Sequence, residues 1–380
     1  MTAPPDVAAF AEAVADDAAA WDAVGSVPDE VLLTMGESGL FGIDVPPRYG
    51  GLGLGPLALG EACAVLGGVC SSLRSLLTVQ TMVAAALVRW GSVEQRNRWL
   101  PDLVSGRARA AFAATEHGAG SDLAAVDTAV DHHAEHVTVR GHKIWVTSGR
   151  FADVFLVLGR SAAGPVTVLV EGDRPGVERE PVSGQLGLRA AQLAHVRFDV
   201  RVPRANVIAT GGFGLTHVVG TALDHGRFTV AWGCAGLAQS CLEQAVAHAV
   251  DRRQAGVALA DHQLVRALLA RSLVDTNAAK ALCERAAEAR RCTASTAIAD
   301  TVVAKYAAAK AAASVSRDAL QVLGASGCAR DSLVGRLFRD AKIMQIIEGS
   351  DEVAELHIAD HALRQHAQRR AAAAPPEGRR

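Results

Sequence analysis

Apolar residues recur every three or four positions from the start of the chain to about residue 108, through VPDEVLLTMGESGLFG, LALGEACAVLGGVCSSLRSLLTVQTMVAAALVRWG and SVEQRNRWLPDLVSG. That spacing, with Gly and Pro at the segment ends, predicts helices. From about 109 to 209 the period changes. HVTVRGHKIWVTSG, ADVFLVLGR, PVTVLVEG and HVRFDVRVP are short, Val-rich and often alternating, and Gly, Pro and Asp turns divide them. They predict a small β domain. After the joint TGGFG (210–214), helical periodicity returns over about 215–252, 262–290, 296–324 and 331–346, then more briefly from 351 to about 368. Such stretches suit a bundle with short connections. The expected organisation is mainly α with an inserted β domain: 1–108 helical, 109–209 β, 210–370 helical bundle, and a frayed tail over 371–380.

Composition narrows the function. Half of the 380 residues are apolar, 21% are charged and the net charge is −2, which excludes a disordered chain. With no long basic run there is no electrostatic footprint for nucleic acid. The N-terminal MTAPPDVAAFAEAVADD lacks a basic n-region and an apolar core, and no uncharged apolar stretch of about 18 residues offers a span. A cytoplasmic location without membrane attachment is expected. The seven cysteines show no C-x-x-C spacing and lie mostly in Ala-rich helical patterns, so buried free thiols are expected.

Two patterns invite chemistry and do not carry it. His132-His133-Ala134-Glu135-His136 spells H-x-x-E-H, yet it runs straight into an alternating strand, where two histidines do not converge on a metal as they do on a helix. No metal is expected. GLGLGPLALG and TGGFG lack G-x-G-x-x-G between a strand and a helix, so a nicotinamide-binding unit is not expected either.

The informative segments are distributed along the chain. AFAATEHGAGSD (111–122) combines small residues with closely spaced hydroxyl and acid groups, a turn or a ligand loop. GHKIWVTSG places Trp145 and Thr147 on a strand, where they face a planar ligand or, for the Trp, fill a core. In LDHGR, Asp224 and Arg227 stand three apart on one helix face, the spacing of an ordinary ion pair. RRQAGVALADHQ (252–263) and QVLGASG (321–327) interrupt helices where free N–H groups suit phosphate. Finally, Glu348 leaves the apolar run Ile343, Met344, Ile346 and Ile347 into Gly349 and Ser350, a cap for an acid-rich helix start. A carboxylate so placed is open to desolvation, which raises its pKa toward that of a general base.

Taken together, T-E-x-x-A-G-S-D, G-x-K-x-W-V-T, G-x-R with V-x-V-P, D-x-x-R, R-x-x-x-G, Q-x-x-G and R-D-A-K-I-x-x-I-x-E-G resemble the acyl-CoA dehydrogenase family in order and spacing over nearly the whole chain. The resemblance implies an N-terminal helical domain, a middle β-barrel and a C-terminal four-helix bundle, with FAD between barrel and bundle. It implies that Phe112, Ala114, Thr115, Gly120, Ser121, Trp145 and Thr147 meet the isoalloxazine and ribityl part. Arg252, Gln254, Gln263, Gln321, Gly324 and Ala325 would hold pyrophosphate and adenosine, partly from a neighbouring subunit of a homodimer or homotetramer. Ser350 and Glu352 would complete the flavin site. Glu348 would be the catalytic base, with Ser121, Asp224, Arg227 and Gly349 at the thioester substrate.

Three positions depart from the family pattern: Ala255 stands where a Phe is usual, Ser350 where a Thr is usual, and His117-Gly118 where Pro-Gly is common. CSSLRSLLTVQ, FTVAWGCAGLAQSC and AKIMQIIEGSDEV resemble the subgroup that makes hydroxymalonyl- or methoxymalonyl-type polyketide extender units on an acyl carrier protein (ACP). That implies a short polar acyl group on ACP. The alternatives are a conventional short-chain acyl-CoA dehydrogenase and, in another class, a flavin-dependent monooxygenase or oxidase on the same fold.

Overall fold

The computed structural model describes residues 6–209 and 212–373, with the side chains of 371–373 excepted. Thr210 and Gly211 of the predicted joint, and 374–380 of the predicted tail, lie outside the described residues. Six helices come first: α1 (Val7–Val14), α2 (Ala18–Val24), α3 (Asp29–Glu37), α4 (Pro56–Val69), α5 (Ser71–Trp90) and α6 (Val93–Val104). Ser92 caps α6 in a full capping box with Gln95.

The β domain follows, with β1 (Ala110–Ala113), β2 (Ala129–His132), β3 (His136–Val146), β4 (Val154–Ser161), β5 (Gly164–Glu171), β6 (Val177–Pro181), β7 (Ala194–Pro203) and β8 (Val207–Ala209). They form one mixed sheet in the order β6-β7-β3-β2-β4-β5-β8, with β1 beside β4 in parallel. Alternation along β7 buries Val196, Phe198, Val200 and Val202 and leaves the residues between them toward water. The H-x-x-E-H segment is the exposed connection from β2 to β3, where the His133 and His136 rings stack 4.4 Å apart.

A π-helical turn, Gly214–Val219, leads into α7 (Gly220–Asp251). The hairpin β9 (Arg253–Gln254) and β10 (Val257–Ala258) separates it from α8 (Gln263–Arg291), followed by α9 (Ala297–Leu323), α10 (Leu333–Met344) and α11 (Asp351–Ala373). The last helix runs beyond the predicted end near 368 and takes in the first three residues of the predicted tail, whose Ala residues are strong helix formers.

One apolar core spans α4, α5, α7, α8, α9 and α10. Helices α4 and α7 touch backbone to backbone: a Cβ on Gly67 would stand 2.3 Å from the Gly233 carbonyl, and one on Gly236 1.8 Å from that of Ala64. α5 is long and apolar enough to cross a membrane, but most of its residues are buried inside this core. Five thiols, Cys63, Cys70, Cys234, Cys241 and Cys283, are buried. Cys292 and Cys328 are exposed, contrary to the sequence expectation, because they sit past the C-termini of α8 and α9.

Candidate active site

The loop after β1 and the strand β3 are tied together. Ile144 N–H donates to the Thr115 carbonyl at 2.9 Å. Lys143, fully buried, donates from Nζ to the Ala114 carbonyl at 2.9 Å and to Glu116 Oε1 at 2.7 Å. Burial works to raise the Glu116 pKa, but hydrogen bonds from Lys143, Thr128 and the Asp127 N–H outweigh it and hold the carboxyl below its usual range. Neither residue was singled out by the sequence analysis, although both are letters of the motifs T-E-x-x and G-x-K and lysine is scarce in the chain. Their pair brings Ala114 and Thr115 beside the Trp145 strand.

Trp145 does not fill a core. A bulge between Lys143 and Val146 gives it a φ of +57° and turns the indole outward, 52% exposed, with the His195 ring edge-on at 5.4 Å. A half-bare indole beside a loop whose Gly118 and Gly120 have open space around them fits a planar flavin. Phe112 and Thr147 are half-buried nearby in sequence, and Ser121 is exposed at the end of the loop.

Glu348 follows the last turn of α10. Its own φ is +56° and that of Gly349 is +95°. Ser350 then starts α11 by accepting the Val353 N–H on its hydroxyl at 3.5 Å, and Ser350 in turn keeps the exposed Glu352 carboxyl below its usual pKa. The Glu348 carboxylate lies over Gly226: a Cβ there would stand 2.6 Å from Oε2 and 2.9 Å from Met82 Sδ. Oε2 is buried without a hydrogen-bond partner among the described residues. Burial pushes the pKa up to about 7 against the opposing charges of Arg227, Lys305 and Arg74. The group is a proton acceptor with a free lone pair, titrating near neutral pH.

The D-x-x-R pair is not an ion pair with itself. Asp224 accepts from Arg290 Nη2 at 2.6 Å, while Arg227 Nε donates to the Glu348 carbonyl at 2.8 Å. Sequence spacing places both on one face of α7 but cannot show α8 supplying the nearer guanidinium. Gly349 joins the same turn, its carbonyl held by Lys305 Nζ at 2.7 Å.

Arg252, Gln254 and Gln263 lie exposed at the α7–α8 junction, and Gln321, Gly324 and Ala325 lie exposed at the end of α9. No hydrogen bond among the described residues joins either group to the Trp145 loop. Ala255 takes the first left-handed position of the β9–β10 turn, φ +52°, and Gly256 the second, φ +84°.

Three domain models of the acyl-CoA dehydrogenase family match the chain in succession: the N-terminal domain over residues 6–107, the middle domain over 111–200 and the C-terminal domain over 212–363. The chain belongs to this family of FAD enzymes, oxidoreductases that act on CH–CH groups. Cyclohexane-1-carbonyl-CoA dehydrogenase of Geobacter metallireducens is 31% identical, over 94% of this chain and 95% of that protein. Among solved structures, FkbI, for biosynthesis of the methoxymalonyl extender unit of the polyketide Fk520, is 40% identical over 94% of this chain and 99% of its own, with a TM-score of 0.88. The prolyl acyl carrier protein oxidase AnaB is 26% identical with a TM-score of 0.89, covering 94% of this chain and 96% of its own.

Proposed function

We propose that the chain is an FAD-dependent dehydrogenase of a short, polar acyl group carried as a thioester on an ACP, in polyketide extender-unit biosynthesis. The observation that carries the polar part is Arg74. This α5 side chain is 1% exposed and among the described residues has no carboxylate partner, its donors meeting only the Thr78 hydroxyl and Met344 Sδ, each at 3.0 Å. Burying a guanidinium costs several kcal/mol unless it is matched. Met344 stands four residues before Glu348, and a Cβ on Gly233 would stand 2.8 Å from Arg74 Cδ. Gly226, under Glu348, and Gly233, under Arg74, are two turns apart on α7, about 10 Å. A long alkyl chain gives this guanidinium nothing, whereas a short acyl group with oxygen at its far end satisfies it. FkbI and AnaB support the carrier, since both act in ACP or extender-unit chemistry by name.

Glu348 is assigned as the base that takes the α proton on its free Oε2. FAD bound there would supply the acceptor for the hydride that leaves the β carbon. Phe112, Ala114, Thr115, Gly120, Ser121, Trp145 and Thr147 are assigned to its ring and ribityl part, with Ser350 and Glu352 at the edge. Arg252, Gln254, Gln263, Gln321, Gly324 and Ala325 are assigned to its nucleotide end. Their exposure supports an arrangement in which a second copy of the chain contributes to each site. The left-handed turn at Glu348 fixes its N–H, the donor assigned to polarise the thioester carbonyl. Ser121 and Gly349 are assigned to the substrate, whereas Arg227 and Asp224 act through the walls of its site.

Anaerobic flavin bleaching tests the reading. Three-carbon acyl groups bearing hydroxyl or carboxylate oxygen on ACP should reduce the flavin faster than butyryl-ACP, and Arg74→Met should erase that preference. Bleaching by acyl-CoAs and never by acyl-ACP removes the carrier assignment, and equal rates for polar and alkyl groups remove the role of Arg74.

A further inference from the structure

Lys305 is 1% exposed on α9 and has no acid within ion-pair distance among the described residues. Its Nζ makes one hydrogen bond, to the Gly349 carbonyl at 2.7 Å. The preceding carbonyl, that of Glu348, accepts from Arg227 Nε at 2.8 Å. Two successive carbonyls of one turn are therefore each held by a cation from a different helix. The turn needs holding, because Glu348 has a Cβ and a φ of +56°. A left-handed conformation is strained for a residue with a side chain and persists only where its surroundings over-determine it.

We propose that Lys305 is a positioning residue for Glu348: with Arg227 it clamps the carbonyls of residues 348 and 349, locking the left-handed turn that aims the carboxylate over Gly226. The inference rests on the reading of Glu348 as the base. Its second effect is electrostatic. The charged groups that face Glu348 are Arg227 from α7, Lys305 from α9 and Arg74 from α5, all favouring its ionised form against burial. Lys305 itself faces Cys234 of α7, Asp351 of α11, Glu348 and Arg227, and its own pKa is lowered by burial. Removing Lys305 removes one of three cations that keep the base usable at neutral pH.

The test compares Lys305→Met with wild type as FAD-loaded protein. The length-matched side chain fills the same space, so the flavin spectrum and melting temperature should be retained. The rate of flavin reduction by the acyl thioester should fall at least tenfold with KM within about twofold, and the acid limb of the rate profile should move to higher pH. Should the Met variant not fold, Lys305→Gln, which keeps a donor and drops the charge, should give the same upward move. An unchanged rate and acid limb, or a raised KM at constant kcat, overturns the proposal. Because Glu348→Gln is measured beside it, the two readings separate: loss in that variant with none in Lys305→Met sinks only the clamp, and no loss in Glu348→Gln sinks the base assignment beneath it.

Discussion

At the scale of single residues, the site depends on one carboxylate held where it is uncomfortable. Burial lifts Glu348 from an ordinary carboxyl value of 4.5 to about 7. Glu348→Gln should keep the yellow colour and slow flavin reduction at least ~100-fold, the usual scale for a lost general base. The same shift has a stability consequence. A carboxyl whose pKa is raised on folding binds its proton more tightly in the native state, so stability is lost as pH rises from about 4.5 to about 7. The Gln variant escapes that loss. Its advantage over wild type should be near zero at pH 4 and grow to about 3 kcal/mol at pH 8. Denaturant titrations at the two pH values check this, and equal differences at both would show that the carboxyl is not desolvated. Gly226→Ala probes the same contact from the other side. Its Cβ meets the flexible ends of Glu348 and Met82, which yield with little loss of stability. The proposed base is pushed off line, so flavin reduction should fall more than tenfold while the melting temperature moves by only a few degrees.

At the scale of elements, sequence periodicity located the helices and strands because apolar residues recur at each element's own period, and an apolar run breaking into Gly-Ser is a local signal that singles out Glu348. What stayed hidden depends on neighbours far along the chain. The outward turn of Trp145 follows from a bulge set by pairing with β7, and the partner of Asp224 comes from α8. Arg74 and Lys305 gave a faint signal, a cation inside an apolar helical stripe, which becomes legible only when no acid is found within ion-pair distance among the described residues. Ala255 is a departure from the family pattern that the element explains in part: both central positions of its two-residue hairpin turn are left-handed, a geometry that favours Gly or Asn. Ala255→Gly should therefore stabilise the protein by up to ~1 kcal/mol in chemical denaturation. A loss of stability would mean that the methyl group makes a contact worth more than the strain.

At the scale of the whole molecule, a chain poor in aromatics and rich in Ala and Gly builds its core by bringing helices together rather than by filling space with large side chains. The seam between α4 and α7 is where this is tightest, and α7 also carries Gly226, Arg227 and Gly233. The N-terminal helices and the C-terminal bundle therefore share one core, while one face of the sheet has its own, centred on Phe155, Phe198 and the valines around them, and Val154, Leu156 and Leu169 pack on its other face against α5 and α6. Two substitutions of one kind on α7 separate packing from helix propensity. At Gly220 a Cβ meets, among the described residues, only the Leu215 carbonyl at 3.7 Å, so Gly220→Ala should be neutral or stabilise by up to ~1 kcal/mol. At Gly236 it meets the Ala64 carbonyl at 1.8 Å, and backbone cannot swing aside as a side chain can. Gly236→Ala should thus cost at least ~2 kcal/mol by forcing α4 off α7. Hydrogen exchange should show amides of α4 and α7 losing protection together, with those of β3 and β7 retaining theirs, because the core around Phe198 includes no residue of α4 or α7. Loss of protection in α7 alone would show that the two helical domains are not one cooperative unit, and equal stabilities for the two variants would show that the close approach at Gly236 does not hold the molecule together.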